Sequence, residues 1–100
     1  MVQVNWSCQA IEDIYAASEY HRQMSAKYAD TLVDKIFEKA YLLENYPMMG
    51  RMVPELGREA VRELIYKQYR VVYRVVNESQ IDGLAFHPSA KPLTDESIFG

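Results

Sequence analysis

The chain opens with an alternation: Val2, Val4 and Trp6 are apolar, with Gln3 and Asn5 between them. That is the period-two signature of a half-buried strand. The period then lengthens. Ile11, Ile14, Tyr15 and Ser18 recur at helical spacing behind Ser7, whose side-chain oxygen suits a helix start because it accepts an otherwise unpaired backbone N–H. Ser25 offers a second cap. Behind it Ala29, Leu32, Val33, Ile36, Phe37, Ala40 and Leu43 form the cleanest amphipathic stripe in the chain, with Asp30, Asp34, Lys35, Glu38 and Glu44 mostly on the opposite side. The pattern predicts a helical hairpin over residues 7–22 and 26–46, stopped by Pro47, which lacks the N–H a helix needs and biases Tyr46 towards extended backbone.

Residues 47–58 hold two of the four glycines and two of the four prolines and read as a connecting loop. Beyond it the period returns to two. Ala60–Tyr66, Tyr69–Val76 and Ile81–His87 read as strands, with turn residues at Asn77-Glu78-Ser79-Gln80. Pro88 and Pro92 break regularity, and the tail past Leu93 carries no assignment. No internal repeat is present, and one hundred residues suit a single domain spanning 1–100. The expected fold class is α+β: an N-terminal strand, a two-helix hairpin, then a three-stranded antiparallel meander, with the helices packed on one face of the sheet.

Composition narrows the function classes. With 49% hydrophobic and 25% charged residues the chain is ordinary globular protein, neither disordered nor low-complexity. Its apolar runs are far too short to span a bilayer, so no membrane role is expected. No basic start followed by an apolar stretch marks a secretory signal, and the single cysteine, Cys8, excludes an internal disulfide and argues against structural zinc, so a cytoplasmic location is expected. Cys8 itself reads as a small, near-buried hydrophobe, and no metal site or cofactor is expected. Four glycines leave no room for a phosphate-cradling loop. The net charge of −3 hides an asymmetry: residues 1–60 carry −3, residues 61–93 carry +2 and the last seven carry −2. Such a chain is a poor general nucleic-acid binder, although a small anion site in the second half is compatible with it.

That half contains the candidate chemistry. Arg70, Val72, Arg74 and Val76 alternate onto one face of the central strand. Arg70 and Arg74 either sit on a solvated face, balancing Glu63 across the ladder, or grip an anion. His87 ends the last strand before a proline and is either structural or a proton donor close to those arginines. Glu55 and Glu63 are the carboxylates best placed to act as a base, or else are salt-bridge partners. Tyr28, Tyr41, Tyr66 and Tyr73 read as packing residues with the hydroxyl near water. Met48, Met49 and Met52 read as filling a gap under the loop.

One resemblance ties these pieces together. A helical hairpin is followed by Pro47-x-x-Gly50-Arg51-x-x-Pro54-Glu55-Leu56, then Val61-Arg62-Glu63-Leu64, then Tyr69-Arg70-Val71-Val72-Tyr73-Arg74-Val75, then a strand ending Phe86-His87-x-x-x-Lys91-x-Leu93. The succession, over Ile11 to Leu93, resembles the RelE/ParE family of type II toxin–antitoxin toxins. The resemblance implies a small antiparallel sheet with helices on one side, growth inhibition, and neutralisation by a cognate antitoxin through which operator DNA is reached. It also implies one of two targets. RelE-like members are ribosome-dependent nucleases that cut mRNA, and in some of them a loop glutamate, a central-strand arginine and a terminal histidine act together; Glu55, Arg70 and His87 stand at similar places. ParE-like members poison DNA gyrase and perform no chemistry, and for that branch Arg51, Arg62, Arg70, Arg74, His87 and Lys91 are the expected target contacts. The acidic balance, the two long patterned helices, the lack of a lysine cluster before the central strand and Phe99 where a tail hydroxyl is wanted favour the ParE-like branch. A third reading is a non-toxic module that only binds antitoxin or regulates an operator.

Overall fold

A computed structural model of the chain describes residues 2–94 and 98. Its elements are β1 (Gln3–Trp6), α1 (Cys8–Arg22), α2 (Ala26–Leu42), β2 (Arg51–Met52), β3 (Val61–Tyr66), β4 (Tyr69–Asn77) and β5 (Gln80–Pro88). They build an α+β fold, two helices against one five-stranded sheet in the order β1-β5-β4-β3-β2. β3, β4 and β5 form the antiparallel meander. β1 joins it in parallel beside β5, so the hairpin of helices leaves the sheet at its outermost strand on that side.

Both caps are as the sequence indicates: Ser7 Oγ accepts from Ala10 N–H and Ser25 Oγ from Tyr28 N–H. α2 stops at Leu42, four residues before the expected end. Its ladder tightens there into i→i−3 bonds, from Leu43 N–H to Ala40 and from Glu44 N–H to Tyr41, so the chain unwinds before Pro47 forces it to. The expected connecting loop contains a short edge strand, β2, with Arg51 opposite Glu63 and Met52 opposite Arg62. Two residues are too few for an alternation to register in sequence.

The main core lies between helices and sheet: Ile14, Leu32 and Ile36 meet Leu64, Val71, Tyr73, Ile81 and Phe86. The other face of the sheet is also covered, so Arg70 does not sit on a solvated face. Val53 from the loop and Leu93 from the tail close over Val61, Val72 and Ala85 in a second, smaller core. Chain that leaves the sheet at both ends folds back over it, and this is what buries the charged row on β3 and β4.

Three further expectations differ. Cys8 is exposed, at the first position of α1. Met48, Met49 and Met52 are exposed rather than packed beneath the loop. Tyr41 is largely exposed, whereas Tyr73 is fully buried with its hydroxyl away from water, donating to Pro47 C=O at 2.8 Å and accepting from Gly50 N–H at 3.0 Å.

Candidate functional site

The second face of the sheet carries the candidate residues. Arg70 lies mid-sheet, opposite Ile65 on β3 and His87 on β5. Its guanidinium donates to Glu55 through Nη2–Oε2 at 2.5 Å and Nη1–Oε1 at 3.2 Å. Nη1 also reaches Glu63 Oε2 at 3.0 Å, and Nη2 reaches the Lys91 carbonyl at 2.5 Å. Glu63 passes the chain of charges on: its Oε1 accepts from Arg51 Nε at 2.6 Å. Glu55 Oε2 accepts from Leu93 N–H at 3.1 Å as well. One side chain on β4 thus ties together the loop before β3, β3 itself and the tail after β5.

Burial sets the energetics. Arg70 is 3% exposed and Glu63 1%, so neither charge is solvated and each depends on its partner. The guanidinium hydrogen bonds hold the Glu55 carboxyl far below its ordinary range, at about 2, against the opposing effect of burial. Such a carboxylate is ionised at neutral pH but weakly basic. His87 shares the Arg70 face, and its Nε2 is buried without a hydrogen-bond partner. Burial pushes its pKa down, and the charges of Lys91 and Arg70 push it further against the opposing pull of Asp13.

The structure brings Glu55, Arg70, His87 and the Lys91 backbone together, with Arg51 joined through Glu63. Arg74 lies farther along β4 and donates to Asp82 Oδ2 at 3.3 Å. Arg62 does not join them. It alternates with Leu64 and Tyr66 onto the helix side, where Nη1 donates to Gly50 C=O at 2.9 Å. Sequence reasoning matched Glu63 with Arg70, yet missed Arg51 as the second cation on that carboxylate, since the strand that aligns them is two residues long. It missed Asp13 too. This α1 carboxylate accepts from Phe86 N–H at 3.3 Å, next to His87 on β5. Among the described residues no group of three or more His, Cys, Asp or Glu could hold a metal ion, and no helix is long and apolar enough to cross a membrane.

Residues 4–91 match the model of the family described as "ParE toxin of type II toxin-antitoxin system, parDE". The chain belongs to the ParE toxin family. The fold of this ParE agrees with a solved structure described as "Chromosomal ParDE TA system from P. aeruginosa", at a TM-score of 0.72 and 21% sequence identity, covering 88% of this chain and 96% of that one. No curated protein sequence matches it significantly. Within a ParE fold, the second face of the sheet is a closed, internally neutralised charge network rather than an open cationic groove.

Proposed function

We propose that this ParE acts in the cytoplasm by poisoning DNA gyrase, through occupancy and without chemistry of its own, and that a cognate antitoxin neutralises it. The similar solved structure is that of a ParDE toxin–antitoxin system, and we extend that pairing to this protein. Operator DNA is reached through the antitoxin, in keeping with a net charge of −3.

The observation that carries the non-enzymatic reading is the occupancy of Arg70. A nuclease of this type needs a guanidinium free to grip phosphate, a basic carboxylate and a histidine able to give up a proton. Both Nη atoms of Arg70 are already engaged by Glu55, Glu63 and the Lys91 carbonyl. Glu55, at about 2, is a poor base. His87, with its pKa lowered, is mainly neutral at pH 7 and a poor acid. Exposed cations at the rim, Arg51 and Lys91, together with half-exposed Arg74, are the target contacts this reading offers.

The test is to express the chain without a partner and compare gyrase supercoiling with mRNA integrity on ribosomes. Inhibited supercoiling with intact mRNA is expected. Discrete ribosome-dependent cuts with unaffected gyrase would replace this reading with the ribonuclease one.

A further inference from the structure

β1 is the outermost strand of the sheet and pairs on one side only, with β5. Its sequence, Gln3-Val4-Asn5-Trp6, contains no charge and no proline, the usual devices that blunt an exposed edge. Beside it α2 presents Phe37, Ala40, Tyr41 and, just past its end, Glu44, a spacing that puts all four on one helical face. Val4 and Trp6 close the other wall of a groove of about 270 Å³.

The walls have a definite chemistry. Trp6 and Phe37 meet edge to face, with centroids 5.3 Å apart and planes at 74°. The indole is fixed from beneath, since it lies so close over Gly83 that a Cβ there would come within 2.5 Å of Trp6 Cε3. Tyr41, 64% exposed, forms the outer wall. Glu44 is the one ionisable carboxylate of the lining, and no lysine or arginine lines the groove. Its side chain makes no ion pair among the described residues. It stands just past the C-terminal end of α2, where the helix dipole adds negative potential.

Three aromatic rings, one unpaired carboxylate and a helix C-terminus all attract a cation and offer nothing to an anion. The volume lies below the range of roughly 300–1,000 Å³ usual for whole small-molecule ligands and suits a single long side chain. The adjoining open strand edge supplies the backbone partners an extended peptide needs. We propose that this groove takes an arginine or lysine side chain carried on an extended segment of a partner polypeptide lying along the outer edge of β1. Arginine is the better fit, since its planar guanidinium stacks on rings while donating to Glu44. The site lies at the opposite end of the sheet's strand order from β2 and does not depend on the gyrase reading.

Trp6 is the single tryptophan of the chain, so its fluorescence reports on the groove. The full chain is titrated with a blocked seven-residue peptide of alternating threonine and valine with a central arginine, and with the same peptide carrying citrulline, which keeps the shape without the charge. The arginine peptide is expected to shift Trp6 emission saturably, with citrulline binding about tenfold more weakly. Glu44→Gln and Tyr41→Ala, both at the surface, are expected to weaken binding about fivefold each, the scale of one exposed cation–π or charge contact. Circular dichroism checks that both variants stay folded, and Tyr41→Phe should restore binding. Equal affinity for citrulline, indifference to Glu44→Gln, no saturation, or a Trp6 signal that follows protein concentration alone (a second copy of this chain in the groove) would each overturn the proposal.

Discussion

Arg70 and Glu55 form a two-pronged ion pair, Nη2 to Oε2 at 2.5 Å and Nη1 to Oε1 at 3.2 Å, although fifteen residues of loop and strand separate them. The pair holds the loop of residues 53–58 against the sheet, and through the Lys91 carbonyl the same guanidinium holds the tail. Removing it strands Glu63, which is buried and then has Arg51 alone. Arg70→Ala is therefore expected to cost about 3–5 kcal/mol, the scale for breaking a buried pair from one side. Arg70→Lys should recover little of that, because one ammonium cannot serve two carboxylates and a carbonyl in the same plane. Urea unfolding monitored by circular dichroism measures both. A loss under about 1 kcal/mol for Arg70→Ala, the scale of an exposed pair, would show that the network does not hold the face closed.

Acid should dismantle this face in two stages. His87 has a folded pKa below its ordinary 6.5, so the unfolded chain binds its proton first; the associated stability is full above 6.5 and is lost as pH falls through the folded value. Glu55 follows the same sign, with stability present above 4.5 and lost between there and about 2. Its carboxyl is nearly a third exposed, so solvent screening reduces the second loss to on the order of 1 kcal/mol. Thermal midpoints measured from mildly alkaline to strongly acid solution should fall in both windows. His87→Gln should flatten the upper one and Glu55→Gln the lower one; a His87→Gln profile parallel to the parent's throughout the upper window would contradict the account.

Much of this fold was legible because its elements obey local rules. The two serine caps, the α2 stripe and the three long strands each leave a periodic trace, and they appear where that trace lies. What escaped depends on distance in sequence. β2 exists because Arg51 and Met52 meet β3, and two residues show no period. The burial of Arg70 follows from Val53 and Leu93 closing over the sheet, and no alternation within β4 reveals that a loop and a tail will cover it. Glu55, Arg70 and His87 could be placed near one another from the family resemblance, and Glu63 could be matched with Arg70, whereas the second cation on Glu63, Arg51, needed the register of β2 against β3.

Tyr73 and Gly50 set the second structural test. The Tyr73 hydroxyl takes the Gly50 N–H and gives its own hydrogen to Pro47 C=O, which fixes the loop as it leaves α2. Gly50 has no space for a side chain: an added Cβ would lie 2.6 Å from Glu63 O and 2.7 Å from the Tyr73 hydroxyl. Gly50→Ala is expected to cost about 1–3 kcal/mol through overpacking against backbone. Tyr73→Phe leaves a buried donor and acceptor unpaired, at about 1–3 kcal/mol. The double variant should lose less than the sum, since the alanine methyl gains the room the hydroxyl vacates. Denaturant unfolding of the three proteins checks this, and strict additivity would mean that the two groups do not share one contact.

The remaining prediction separates occupancy from catalysis at residue level. Glu55→Gln and His87→Gln remove proton transfer while keeping size and most hydrogen bonding. If the protein were a general acid–base nuclease, each change should slow it roughly 10²- to 10⁴-fold. For a gyrase poison both variants should inhibit growth nearly as well as the parent, provided they remain folded. Arg70→Ala cannot decide the matter, because the same guanidinium holds the sheet, the loop and the tail together. Lys91→Ala is the cleaner probe of target contact: Arg70 binds the Lys91 backbone carbonyl, so the substitution removes an exposed ammonium and leaves the clamp intact. It should weaken gyrase inhibition several-fold while changing unfolding stability by no more than about 0.5 kcal/mol. Growth curves under induced expression, read beside supercoiling assays on the purified variants, test all three. Loss of growth inhibition in folded, antitoxin-binding Glu55→Gln and His87→Gln proteins would show that this face carries out a reaction.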